Sequence, residues 1–147
     1  MGWLVYQRLS QVYEQMGQYD NALVALRHAD AGTSPDQPQR RSLHQARRAR
    51  ILALLGKRDG AKRLIRDLEA DPSVRVGSAT AAAYAALREN DKAFELLFDD
   101  IDRGPGPNFT AVDPTFDILH SDPRWPELVR RLNVPRRTST VATSDAR

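Results

Sequence analysis

The 147-residue chain is 41% hydrophobic and 28% charged, a balance that suits one soluble domain with its own core. No stretch reaches the roughly 20 apolar residues of a membrane span. The opening MGWLVYQRLS has no basic region ahead of an apolar run, so a cytoplasmic chain with no membrane partner and no secretory leader is expected. The absence of cysteine excludes disulfides, thiolate nucleophiles and cysteine-based metal sites. The net charge is +3, and the 22 basic residues are almost all arginine, a bias that fits GC-rich coding better than a chemical need.

Tyr6, Leu9, Ser10 and Tyr13 recur at i, i+3, i+4 and i+7, which predicts a helix over 3–16. Gly17 then supplies the left-handed residue that ends a helix without steric penalty. A second helix is expected from about Asp20, with Ala22, Leu26 and Ala29 on one face. The loop GTSPDQP at 32–38 carries two prolines and a glycine and ends that unit. The signal returns after Gly56, where Ala61, Ile65 and Leu68 share a face, and again after the turn REND, where Ala93 and Leu97 do. Ala22, Ala61 and Ala93 are spaced by 39 and 32 residues, which brackets a helical-hairpin repeat of ~34 residues. The extra residues of the first interval fit the 32–38 loop.

On these residues the chain resembles the tetratricopeptide repeat (TPR) family. In the first unit the family pattern falls on Tyr6, Leu9, Ser10, Tyr13, Gly17, Tyr19, Ala22, Leu26, Ala29 and Pro35. In the second it falls on Ala49, Leu52, Gly56, Ala61, Ile65, Leu68 and Pro72, with Gln45 and Arg48 where the family has large apolar residues. In the third it keeps Ala81, Tyr84, Ala93 and Leu97, but Arg88 stands at the turn-glycine place and Asp100 at a small-residue place. The resemblance implies an all-α, short TPR-like solenoid of three hairpins, over about 3–35, 39–72 and 73–103. An irregular helical bundle is the alternative.

GPGPN at 104–108 breaks the periodicity. Asp113-Pro114 and Asp122-Pro123 then read as helix starts, giving expected helices at 114–119 and 123–132. Phe116, Leu119, Trp125, Leu128, Val129 and Leu132 would be their buried faces, and residues 104–135 would close the open end of the stack. This segment resembles the one that follows the last repeat in bacterial TPR-containing signalling proteins, and the resemblance implies a regulatory setting. The stretch 136–147 is polar and aperiodic and is expected to be disordered.

Nothing in the sequence signals catalysis. His28, His44 and His120 lack metal-site spacing and are expected at helix surfaces or between helices. DDIDRGPG at 99–106 fails as a calcium loop, because its twelfth position is Ala111. The expectation is therefore a non-catalytic protein with no cofactor and no metal.

Charge is more informative. Between Gln39 and Arg66 ten basic residues face Asp59 alone. Such a block could attract nucleic acid or another polyanion, with Arg40, Arg41, Arg47 and Arg48 as its core. No base-stacking aromatic is interleaved there, and Lys62, Arg63 and Arg66 could instead meet Glu95, Asp99 and Asp102 of the next unit. In TPR proteins the first helices line a concave groove. Transferred to this chain, the groove would present Gln7, Gln11, Glu14, Gln15, Arg50, Leu54 and Ser78, without the Lys-Asn pattern of a carboxylate clamp. The favoured function is a scaffold that binds another protein or peptide. Trp3, Leu4 and Val5 raise a second partner, another copy of the chain, through the N-terminal helix.

Overall fold

Three left-handed residues organise the chain: Gly17 at φ 71°, Gly56 at φ 78° and Arg88 at φ 63°. Each ends one helix and releases the chain into the next. The computed structural model describes residues 2–103 and 113–133. These form α1 (Trp3–Gln15), α2 (Tyr19–Ala31), α3 (Pro38–Leu54), α4 (Arg58–Glu69), α5 (Gly77–Ala86), α6 (Asn90–Arg103), a 3-10 helix (Pro114–Leu119) and α7 (Trp125–Asn133). No strand occurs among the described residues. Helices pair in chain order, α1 with α2, α3 with α4 and α5 with α6, so the fold is an all-α, solenoid-like stack of hairpins.

All three turns make the same bonds. The N–H of Gln18 reaches the carbonyl of Tyr13 at 2.8 Å, that of Lys57 reaches Leu52 at 2.8 Å, and that of Glu89 reaches Tyr84 at 3.0 Å. The N–H groups of Gly17, Gly56 and Arg88 each reach back three residues, completing a Schellman cap. A Cβ added at Gly17 or Gly56 would touch nothing, so glycine is required there by φ alone. The third turn holds that backbone with an arginine, which carries the strain the glycines avoid.

Five residues past each turn sits a fully buried alanine: Ala22, Ala61 and Ala93. A methyl group there lets the two helices of a hairpin approach closely. Ser10 completes the first crossing, where its buried hydroxyl donates to the Ala22 carbonyl at 3.0 Å. Leu9, expected on the same inward face, is instead exposed with Leu4, Val5, Val12 and Met16 along the outer side of α1. Leu4 and Val5 of this stripe are two of the three residues expected to meet another copy of the chain. Trp3 stands apart from it, covered by the Arg40 guanidinium 3.6 Å from its ring.

The hairpins stack unequally. α3 and α5 lie along one another through Ala49, Ala53, Ala81 and Ala85. α5 is apolar nearly all round and buried nearly all round, as a helix between other helices must be. The first hairpin joins through α2 on α3, while α1 stands off from α3. Its own core is small, with Ala22 and Leu26 against Ile51.

After the third hairpin the chain packs back on α5 and α6. Phe116, Leu119, Leu128 and Leu132 enter one apolar cluster with Leu87, Phe94 and Leu97. Asp113 caps the 3-10 helix by accepting from the Thr115 N–H at 2.9 Å. The second Asp-Pro pair forms a turn, so α7 begins at Trp125 rather than at Pro123. There Asp122 accepts from the N–H and Nε of Arg124, and these bonds hold its carboxyl down at about 2. Arg124 also lies 4.5 Å over the Phe94 ring and pairs with Asp91 at 2.8 Å. Trp125 is only half-buried, its ring tilted against His120 with the centroids 4.4 Å apart. The expectations for 104–108 and for the 136–147 tail lie outside the described residues.

Two substitutions test this architecture. Arg88→Gly should stabilise the chain by about 1 kcal/mol, because it removes left-handed strain from a side chain that is exposed. Urea unfolding should show a higher midpoint, and a lower one would contradict the turn assignment. Ala61→Leu should overpack the α3–α4 crossing and cost roughly 1–3 kcal/mol. An unchanged melting temperature would mean that the helices are not in close contact there.

Candidate binding groove

The stand-off of α1 from α3 leaves space, and the first helices of the three hairpins face it. Leu43, Ser78 and Ala79 sit at the middle and line both halves of the depression. One half, about 390 Å³, runs between Gln11, Glu14 and Gln15 of α1, Arg47 and Arg50 of α3, Ala82 of α5 and the start of the 3-10 helix. The other, about 710 Å³, opens towards Trp3, Gln7, Arg40, Arg75 and Asp100.

Long polar side chains bridge the gap that backbone packing does not close. The Arg50 guanidinium donates to the Glu14 carboxylate, and both side chains are largely shielded from solvent. Further along, His44 is fully buried, with Nδ1 2.8 Å from Asp30 and Nε2 3.2 Å from Gln7. Arg48 meets the other Asp30 oxygen. Burial alone would raise the Asp30 pKa, but the His44 hydrogen bond and the Arg48 charge outweigh it and hold the carboxyl below its usual value. This network explains why Arg48 can occupy a place where the repeat pattern calls for an apolar residue. The α2–α3 seam is polar there, and Arg48 is paired.

Burial dominates at the deeper end. It raises the Glu14 pKa despite the nearby Arg50 and Arg47. It lowers the Arg47 pKa, against the pull of Glu14 and Asp113. The Arg47 Nη1 is buried and has no hydrogen-bond partner. Leaving such a donor unsatisfied costs about 1–3 kcal/mol, and more for a charged group.

The sequence-predicted groove residues therefore divide. Gln11, Glu14, Gln15, Arg50 and Ser78 come together around the smaller half. Gln7 lines the larger half and also holds His44. Leu54 lines neither half and is half-buried at the end of α3. Leu43, Ala79, Asp113, Thr115 and Phe116 join the site without having been expected there. The Asp-Pro signal placed a helix start at 113–114, but nothing in the sequence told which groove it would border.

The basic patch does not survive as one surface. Arg40 and Arg47 lie two turns apart on the groove side of α3, whereas Arg41 and Arg48 lie on the next face, around a small pocket with Asp30 and Gln45. Arg40 and Arg48 are engaged within the chain, by Trp3 and Asp30. The pairing expected between α4 and α6 is also different. Lys62 meets Glu89 at 2.7 Å, Asp99 pairs with Arg103 of its own helix, and Asp102 lies 3.6 Å from Arg131. The reason is placement: α4 packs mainly on α3, and its Lys62 reaches only the residue that precedes α6.

Among the described residues no group of three or more His, Asp or Glu side chains could hold a metal ion. No described helix is long and apolar enough to cross a membrane. The chain matches no protein-family model, no curated protein and no solved structure.

Proposed function

We propose that the chain is a TPR-like, non-catalytic interaction module that holds a peptide segment of another protein along α1, α3 and α5. One observation carries this: α1, α3 and α5, one helix from each hairpin, contribute to a single depression whose halves share Leu43, Ser78 and Ala79. A groove of this length, with amides and charges on an alanine-rich floor, suits an extended chain whose backbone needs donors and acceptors at intervals. The likeness of the Asp-Pro-x-Phe-Asp-x-Leu segment to bacterial signalling proteins extends the proposal to a regulatory assembly in the cytoplasm.

The competing function, polyanion binding, loses much of its support once Arg40, Arg48, Arg50 and Lys62 are engaged within the chain. Lys57, Arg58, Arg63 and Arg66 remain exposed on α4 and its approach, but Asp59, Asp67 and Glu69 share that helix. Phosphate-driven binding would weaken steeply with salt.

The test is a peptide-display selection on the whole chain, followed by binding measurements with Ser78→Trp and Ala79→Trp. Selected peptides should lose at least tenfold in affinity to both variants and little to Arg63→Ala on the outer surface. Binding should change only modestly between low and moderate salt. Peptides indifferent to both tryptophans, or a chain that retains DNA in a salt-sensitive way and selects no peptide, would refute the proposal.

A further inference from the structure

We infer that the smaller half of the groove is built to take a carboxylate of the bound peptide on Arg47. This rests on the peptide-groove proposal and specifies its chemistry. Three basic groups influence this cleft, Arg8, Arg47 and Arg50, against two acids, Glu14 and Asp113. Arg50 and Glu14 satisfy each other. Asp113 commits one oxygen to the Thr115 N–H. Arg47 is left with no ion pair among the described residues and with Nη1 sequestered from both water and protein acceptors. The Nη1 end is closed off, but Arg47 as a whole is only half-buried and lines the cleft, so its remaining N–H groups are the ones that a ligand acceptor can reach.

The shape and charge of the cleft select the class of that acceptor. A planar carboxylate matches the guanidinium fork, with two parallel N–H···O bonds. A phosphate would bring a larger negative charge close to Glu14 and Asp113, which would repel it. Gln11, Gln15, Ser78 and Thr115 line the same half and can donate to the second carboxylate oxygen or to the peptide backbone. Leu43 and Phe116 flank the polar groups with apolar surface for the methylenes beside the acid. About 390 Å³ accommodates one acidic residue with part of a neighbour, within the range of ordinary ligand pockets. The carboxylate could come from a Glu or Asp side chain or from a chain terminus, and the chemistry at Arg47 is the same.

Three blocked tripeptides separate these sources by NMR on the whole chain. Acetyl-Leu-Glu-Leu-amide offers a side-chain carboxylate, acetyl-Leu-Leu-Leu a terminal one, and acetyl-Leu-Gln-Leu-amide none. At least one acidic probe should shift the Arg47 Nε–H signal and the Ser78 and Ala82 amides saturably, at least tenfold more tightly than the neutral probe. Arg47→Gln should bring the acidic probe down to the neutral level, and Arg47→Lys should restore part of the difference. Equal binding of acidic and neutral probes to the wild-type chain overturns the carboxylate anchor whether or not the variants fold. If display-selected peptides occupy the groove but carry no acid and ignore Arg47→Gln, the anchor falls and the groove stands. If no peptide engages the groove at all, both fall.

Discussion

The close crossing of the two helices in each hairpin is the contact on which the rest of the fold depends. A Schellman cap turns the chain, and five residues later a buried alanine lets the partner helix come close. The turns at Gly17, Gly56 and Arg88 and the alanines at 22, 61 and 93 repeat this unit three times. Once each hairpin is closed, its two helices behave as one block with a fixed crossing. What differs between the blocks is the way they stack.

That difference generates the groove. The second and third hairpins meet through alanines on α3 and α5, and the C-terminal segment adds Phe116, Leu119 and Leu128 to the same apolar cluster. The first hairpin shares little of this cluster. It is tied down by the Glu14–Arg50 pair, the Asp30–His44–Gln7 chain and the Arg48–Asp30 pair. Polar bridges hold at longer reach than packed methyl groups, so α1 stands off and leaves a cleft between three helices. Breaking a buried pair of this kind is costlier than breaking an exposed one, because the remaining charge has nowhere to go. The same bridges that open the groove therefore also secure its wall.

Much of the fold was legible because its determinants are local. Gly17 and Gly56 announce left-handed turns, and Ala22, Ala61 and Ala93, 39 and 32 residues apart, announce close crossings. The third turn could be read from REND, but not that Arg88 itself would be left-handed, since the tertiary stack imposes that backbone and the side chain gives no hint of it. Leu9 was misjudged because periodicity cannot tell the inner face of a terminal helix from an outer face with apolar residues of its own. The groove residues were placed only by transferring the repeat pattern, and Leu54 shows how that fails near a helix end. Arg47 was visible as one of a basic run, yet its lack of an ion pair depends on where Glu14, Arg50 and Asp113 sit, residues spread from position 14 to position 113. His44 could be expected between helices, but Asp30 and Gln7 as its partners could not.

α1 and α5, which belong to different hairpins, face each other across one groove. The chain has no cysteine, so a single introduced pair reports on it cleanly. Gln11→Cys and Ser78→Cys, on opposite helices of the smaller half, should be joined within one molecule by a short bis-maleimide at dilute protein concentration. Mass spectrometry of the digested monomer should then show the two peptides linked. A monomer in which both cysteines react separately and no internal link forms would contradict the stacking, and the groove with it.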